Sequence, residues 1–518
     1  MPKLRIDIFT HNVKCSQFDD QAKRALLTYT SKVARVDLVP DPNWDPRSGQ
    51  RRRMVRQIVK IYAALRHDRT EFRFHINQYD ELMQSLSASG IWEKDIEVIR
   101  HPEPKYVPHN FVLKDTRTPR DYQIEKVEYL KKDQRTKILI AQTGTGKTFM
   151  SLQAIHAQNK RVFLALTKIT YIKKWIDDVE DAYDCKKGDI VVVKGTKQLN
   201  TLIECAKNDD LDAKFIICSM RTLQMYIEKY EAGEDVVAEY GCNPEELFEI
   251  LGVGIRFIDE VHEHFHTVFK LDLYTHVSET INLTATLIDD NVFVERMMRV
   301  MFPLNERPPK SPYDKYIETI AYGYGLTPEG LNYMRYKQPG RGSYSHVRFE
   351  KSLLDNPKYL NRYLGFIKDT AEQTFFSVRE DKQRLLIFCS TIALCEEVVK
   401  YFRKQYPSIN TNKYTAEDKY ETLLSSDIVV STLLSAGTAV DVPDLRTAIM
   451  TTAIGSRRQN VQALGRLRRM SNYPNTTPTF VYFVCMDIEE HHKYYEKKVE
   501  VFEDKTLVHK VEHTSFSL

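Results

Sequence analysis

The sequence predicts an α/β protein in which two parallel-sheet domains follow one another behind a small N-terminal α+β domain. Three observations predict it. From about residue 118 to 300, short apolar runs at 138–140, 162–166, 215–218, 255–258 and 281–283 alternate with helical stretches, the rhythm of βαβ units. The same alternation resumes near residue 355, with runs at 385–388, 428–430, 448–450 and 480–484. Residues 1–100 instead mix strand-like alternation with helical periodicity and show no repeating unit.

Taken in order, Leu4, Ile6 and Ile8 alternate with charged residues as in a half-buried strand, and Val33, Val36 and Leu38 suggest another. In the stretch 51–65, Val55, Ile58, Val59, Tyr62 and Leu65 fall at helical spacing. A helix there places Arg52, Arg56 and Lys60 on the opposite, exposed face, with Arg51 and Arg53 at its entry. Residues 71–76 read as a further strand, after which Asn77 caps a helix with Asp80 in its first turn and Gly90 beyond its end. Pro102, Pro104 and Pro108 then mark a stiff linker over 101–117. The first parallel-sheet domain spans 118–300, a connection covers 301–354, and the second such domain spans 355–490. A charged helix, Glu489–Phe502, and a short tail close the chain, so that 491–518 form a C-terminal piece.

Composition bounds the class. The 518 residues are 42% hydrophobic and 28% charged, the profile of a globular protein with real cores. No apolar run is long enough to span a bilayer, and the N-terminus lacks an apolar signal core, so a cytoplasmic protein is expected. The 8 cysteines form no Cys-x-x-Cys pair, which argues against a disulfide framework or a zinc ribbon. Net charge is only +4, but residues 1–117 carry 21 Lys/Arg against 15 Asp/Glu and the remainder 54 against 56. The basic front points to a polyanionic partner there.

The chemistry begins at Ala141-Gln-Thr-Gly-Thr-Gly-Lys-Thr148. A strand, a glycine loop and a helix in succession are the setting of a phosphate-binding P-loop. Thr143, Gly144, Thr145 and Gly146 let successive N–H groups turn inward on phosphate oxygens, helped by the helix N-terminus. Lys147 then reaches the β- and γ-phosphates, and Thr148 offers its hydroxyl to Mg²⁺. Ala141 replaces the usual first glycine. About 110 residues on, Asp259-Glu260-Val261-His262 stands at the C-terminal end of an apolar strand, the edge that faces the nucleotide in a doubly wound sheet. Asp259 suits the Mg²⁺ shell, and Glu260 suits orienting and deprotonating the attacking water. His262 to His266 also reads H-E-x-x-H. Zinc is the weaker reading, because no third ligand follows at a recognisable spacing. Far downstream, residues 459–469 contain Gln462, Gly465, Arg466 and Arg469 in a Q-x-x-G-R-x-x-R pattern. On a helix, arginines three apart share one face and can both meet a γ-phosphate.

Over residues 118–490 this series resembles the superfamily 2 helicases and translocases of the DEAD/DEAH type. Arg120 to Gln123 is similar to the motif in which glutamine reads adenine; the P-loop and Asp259–His262 are similar to motifs I and II. Thr284-Ala-Thr286 is similar to motif III, and with His262 and Gln462 it is implied to couple the nucleotide to the track. Motifs Ia and Ib correspond to Thr167-Lys168 and to Ser219, Arg221 and Thr222; motif IV to Ser390-Thr391; motif V to Thr432 through Asp441; motif VI to Gln462–Arg469. Ala439 stands where many relatives have glycine. The resemblance implies two RecA-like domains sandwiching ATP and Mg²⁺, with Asp441 beside the nucleotide. Lys147, Glu260, Arg466 and Arg469 are the implied catalytic set. The residues of motifs Ia, Ib, IV and V are the implied nucleic-acid contacts, and the exposed helix face of Arg52, Arg56 and Lys60 is expected, from its charge, to touch DNA phosphates ahead of them. In architecture, and in the 43–45 and 72–90 stretches, the chain is similar to phage recombination helicases of the UvsW type. That likeness implies forked, branched or duplex DNA as partner, no membrane, and a role in DNA recombination or repair. A duplex translocase that separates no strands and an RNA helicase are the alternatives.

Overall fold

The computed structural model describes the chain except Met1, 42–53, Arg66, Asp115, Thr143, Thr170, 309–313, 340–341, 416–417, Lys419, 434–441 and Ser471. The sequence-level assignments at Asn43-Trp44-Asp45, Arg51 to Arg53, Thr143, Ala439 and Asp441 therefore lie outside the described residues. The chain divides into two compact units, one of Met1–Ala141 and Thr145–Ser311, the other of Gln142–Gly144 and Pro312–Leu518.

In the first unit a five-stranded mixed sheet comes from β1 (Leu4–Ile8), β2 (Asn12–Ser16), β5 (Ala64–Leu65), β6 (Phe72–His75) and β7 (Ile96–Arg100), in the order β5-β6-β2-β1-β7. A separate antiparallel ribbon pairs β3 (Ala34–Pro40) with β4 (Met54–Ile61). This ribbon overturns the helix expected over 51–65. The β-branched residues Val55, Ile58, Val59 and Ile61 favour the extended chain, and β3 supplies the hydrogen-bonding partner that local periodicity cannot reveal. Among the described residues the basic stripe does not survive. Arg56 lies opposite Leu38 and Lys60 opposite Arg35, with a register shift between, so the two exposed cations fall on opposite faces of the ribbon. Asn77 is likewise not a cap. The His75 ring accepts the Asn77 N–H, a short 3₁₀ turn Ile76–Gln78 leads into helix Tyr79–Ala88, and the Asn77 amide donates to Val300 O instead. Gly90, with φ of +78°, follows the helix as expected.

The six-stranded sheet of this unit is parallel throughout: β8 (Thr136–Ile140), β9 (Val162–Leu166), β10 (Ile190–Val193), β11 (Phe215–Ser219), β12 (Ile255–Ile258) and β13 (Glu279–Thr284), ordered β10-β11-β9-β12-β13-β8. Successive residues of its strands serve opposite cores. Leu139, Phe215 and Ile217 pack with Leu130, Leu152 and Val179 on one face. Ile138, Ile216 and Cys218 face the other way, into a core continuous with Leu4, Ile6, Phe72, Phe74 and Leu82. The N-terminal region is thus joined to the parallel sheet through a shared interior. Its "linker" is fastened too: Val107 N donates to Gly252 O, His109 N to Asn159 O and Lys114 N to Ala182 O.

The second unit holds a seven-stranded parallel sheet ordered β16-β17-β15-β18-β19-β14-β20. Its strands are β14 (Glu318–Gly325), β15 (Arg384–Cys389), β16 (Thr411–Tyr414), β17 (Ile428–Thr432), β18 (Leu445–Met450), β19 (Thr479–Cys485) and β20 (Val508–Ser517). Leu385 and Ile387 face one core, Leu386 and Phe388 the other, as in a sheet covered on both sides. The sequence reading finds the four central strands and the helix Glu489–Phe502. It misses β14, whose tyrosines and glycines break the apolar run, β16, whose Thr-Asn-Lys-Tyr is polar, and β20, whose residues are mostly exposed at the sheet edge. The fold class predicted from the sequence is the one observed.

Candidate nucleotide and nucleic-acid site

Because every strand of the first parallel sheet runs the same way, the ends of β8, β9, β12 and β13 all open on one edge. At that edge Gly144 and Gly146 hold φ of +85° and +87°, a left-handed backbone that side chains resist. A Cβ at Gly146 would meet Gln123 Nε2 at 2.7 Å. Gln123 is engaged at both ends: its Nε2 donates to Thr145 O at 2.8 Å and its Oε1 accepts the Arg120 N–H at 2.9 Å. It therefore ties helix Asp121–Lys131 to the glycine loop. Lys147 and Thr148 occupy the first turn of helix Lys147–Gln158.

Lys147 Nζ lies 3.3 Å from Ala141 O and 3.6 Å from Glu260 Oε1. Glu260 follows β12 at φ of +51°, a conformation that costs a non-glycine residue of order 1 kcal/mol and is held only where neighbours over-determine it. His262, buried, has Nδ1 2.7 Å from Thr284 Oγ1 and 3.3 Å from Glu260 Oε2. Thr284 Oγ1 donates to Thr286 O at 2.6 Å, so its proton is committed and His262 Nδ1 must carry the hydrogen between them. Ala141 N donates to Thr284 O at 3.1 Å. The glycine loop, the acidic strand end and the Thr284–Thr286 segment are thus one hydrogen-bonded assembly. Asp259 is pushed up to about 6 by burial and by the neighbouring Glu260 charge, against the pull of Lys147. A carboxylate so placed suits a hard divalent cation, as does the Thr148 hydroxyl. In the H-E-x-x-H stretch, His266 Nε2 turns away to Ile61 O at 3.1 Å, so His262 and His266 serve different partners.

Elsewhere on this edge, Thr167 Oγ1 is buried without a hydrogen-bond partner among the described residues, and Lys168 Nζ sits 5.8 Å from the Tyr171 ring centre. Ser219 begins helix Met220–Ala232; Arg221 is exposed on it, while Thr222 is buried.

In the second unit the expectation that Arg466 and Arg469 share a helical face fails. Helix Arg457–Leu464 stops before both, since Gly465 and Arg466 leave it in a turn. Arg466 folds inward with Nε 3.3 Å from Gln462 O. Arg469 stays outside, bidentate on Asp314 at 2.8 Å and 2.8 Å and 5.0 Å from the Tyr316 ring centre. Sequence reasoning also missed Glu350. This fully buried carboxylate accepts the Ser390 N–H at 2.6 Å and the Thr391 hydroxyl at 2.7 Å. The motif IV hydroxyl is therefore already bonded within the unit, and no sequence signal ties residue 350 to residue 390. Thr432, at the end of β17, follows Ser431, whose hydroxyl donates to Tyr414 O.

Burial raises the Glu350 carboxyl to about 7. An acid raised in the folded state loses stability as pH climbs from its unfolded value, about 4.3, to its folded one. Glu350→Gln is accordingly expected to raise the denaturant midpoint of this unit at pH 8 and to leave it unchanged near pH 4. Equal shifts at both pH values would show that ionisation of Glu350 is not the cause.

Residues 116–289 match the family described as "type III restriction enzyme, res subunit". No curated protein matches the chain. Among solved structures, S. cerevisiae Dbp5 bound to RNA and ADP BeF3 is similar at 10% identity and a TM-score of 0.49, over 77% of this chain and 91% of that one. Mss116p bound to ssRNA and AMP-PNP is similar at 14% identity and a TM-score of 0.49, over 77% of this chain and 75% of that one.

Proposed function

We propose that the chain is an ATP-dependent DNA helicase or translocase that unwinds or remodels forked, branched or duplex DNA. The observation that carries the proposal is the Lys147–Glu260–His262–Thr284 assembly, which ties a phosphate-binding loop to an acid and to a coupling segment. ATP binds through the loop amides and Lys147, with Gln123 beside the base; Asp259 and Thr148 would hold Mg²⁺, which would supply charge neutralisation at the phosphates. Glu260 orients a water and takes its proton. Lys147 shifts from Glu260 to the phosphates on binding, which frees the carboxylate for that task. His262 relays the state of Glu260 to Thr284 and Thr286. Gln462, Arg466 and Arg469 complete the set, and Asp441 belongs with it by resemblance. By resemblance the arginines would stabilise the charge that develops at the transferred phosphoryl group, Arg469 only after leaving Asp314.

On the nucleic-acid side, the cations Lys168 and Arg221 support a phosphate-backbone contact, with Thr167 beside Lys168. Ser219, Thr222, Ser390, Thr391 and Thr432 frame the same motifs. Such contacts position the track without reading its sequence. Steady-state ATPase with single-stranded, duplex, forked and four-way DNA and with RNA tests the reading. Stimulation by branched DNA is expected. Stimulation by RNA alone would overturn the DNA assignment, and absence of any nucleic-acid stimulation would overturn the motor.

The ribbon gives a sharper test. Each phosphate contact removed lowers the slope of log affinity against log salt by about 0.9. Because Arg56 and Lys60 face opposite ways, DNA lying on one face meets one of them. One of Arg56→Gln and Lys60→Gln is expected to flatten the slope for forked DNA, and the double variant to flatten it no further. Parallel slopes for all variants would mean that the ribbon does not touch DNA.

A further inference from the structure

Helix Tyr171–Ala182 starts three residues beyond Lys168 and carries Trp175, which is 3% exposed. The indole reaches the acidic strand twice. Its Nε1 donates to Asp259 Oδ2 at 3.0 Å, and its ring stands edge-on to Phe257, with ring centres 5.3 Å apart and planes at 71°. Phe257 lies on β12, two residues before Asp259. A buried indole N–H has one hydrogen to give, and here it goes to the carboxylate assigned to Mg²⁺. Ring contact with Phe257 fixes the indole plane, and the fixed N–H in turn selects one orientation of the Asp259 side chain.

We propose that Trp175 is a positioning residue for the nucleotide site, orienting Asp259 toward Mg²⁺ and linking that carboxylate to the helix that follows the Thr167-Lys168 segment. The inference rests on the reading of Asp259 as the magnesium-holding group. Outer partners that orient a metal-binding side chain typically contribute 10- to 100-fold to metal affinity or activity. Trp175 takes one carboxylate oxygen and leaves the other to the ion. Nucleic acid drawing on Thr167 or Lys168 would move the start of the same helix, and the indole with it.

Trp175→Phe retains an aromatic ring against Phe257 and removes the donor together with the indole's second ring. Binding of a fluorescent, non-hydrolysable ATP analogue is followed as Mg²⁺ is titrated. The midpoint for Mg²⁺ is expected to rise about tenfold, with analogue binding in EDTA unchanged and the melting temperature lowered by the lost ring. An unmoved midpoint overturns the proposal, as does analogue binding in EDTA that weakens by the same factor. Should Trp175→Phe not fold, the Trp44→Phe/Trp92→Phe protein retains Trp175 as its single indole among the 3 tryptophans of the chain. Its emission is expected to change when Mg²⁺ is added to the nucleotide-bound protein, and an unchanged spectrum overturns the proposal. A wild-type protein that shows no Mg²⁺-dependent nucleotide binding would instead remove the reading of the site itself.

Discussion

Glu260→Gln is expected to bind ATP and DNA and to lose hydrolysis by about 10²-fold or more, the usual cost of removing a proton-accepting group. The amide fills the same space at the same left-handed φ of +51° but cannot take a proton. It also removes the charge that faces Lys147 at 3.6 Å, so ground-state affinity for the nucleotide should hold or rise. Lys147→Ala is expected to behave differently, weakening nucleotide binding itself. Single-turnover hydrolysis measured beside equilibrium nucleotide binding separates the two. Near-normal turnover in Glu260→Gln would remove Glu260 from the mechanism.

The second large effect lies at the base of the same strand. Arg256 on β12 pairs with Asp272 of helix Phe265–Tyr274, and both side chains are fully buried. His75 of the N-terminal sheet stands 3.3 Å from the same carboxylate, and the Asn12 amide donates to Asp272 O at 2.9 Å. Burial alone would raise the Asp272 carboxyl. The Arg256 charge and the His75 hydrogen bond overcome that and hold it below the ordinary range. Removing one member of a buried pair strands the other, at about 3–5 kcal/mol. Asp272→Ala is expected to lower the unfolding free energy of the first unit by that amount, measured by denaturant melts. Because the network joins the N-terminal region to the strand that ends in Asp259 and Glu260, nucleotide binding should fall with it. Arg256→Met/Asp272→Leu, which removes both charges, should recover most of the stability. An Asp272→Ala protein as stable as the wild type would show that the pair does not hold the two layers together.

Much of this was legible in the sequence because it is local. A glycine loop between a strand and a helix, or two acids at a strand end, needs only a few consecutive residues, and short apolar runs such as 162–166 and 480–484 mark buried parallel strands. Lys147, Asp259, Glu260 and His262 were each identifiable for that reason, whereas Thr284 entered only through the family resemblance. Residues 51–65 misled for the complementary reason. Val55, Ile58 and Val59 satisfy a helical stripe and a strand alike, and the deciding partner, β3, lies in another segment. Arg466 and Arg469 misled because spacing says nothing about where a helix stops, and this one stops at Leu464.

What the sequence by itself determined, then, is the fold class, most of the central strands of the two parallel sheets, the phosphate loop and the types of residue that stand at the sheet edge. Only the tertiary structure decided what those residues touch. It turned Gln123 onto Thr145, Trp175 onto Asp259 and Glu350 onto Ser390 and Thr391, and it drew the N-terminal sheet into one core with the first parallel sheet. The physical reason is the range of the forces involved. Backbone propensity and periodicity act over a few residues and are written in them. A buried carboxylate or indole must instead find its partner among all segments that pack around it, and that choice exists only once the chain has folded.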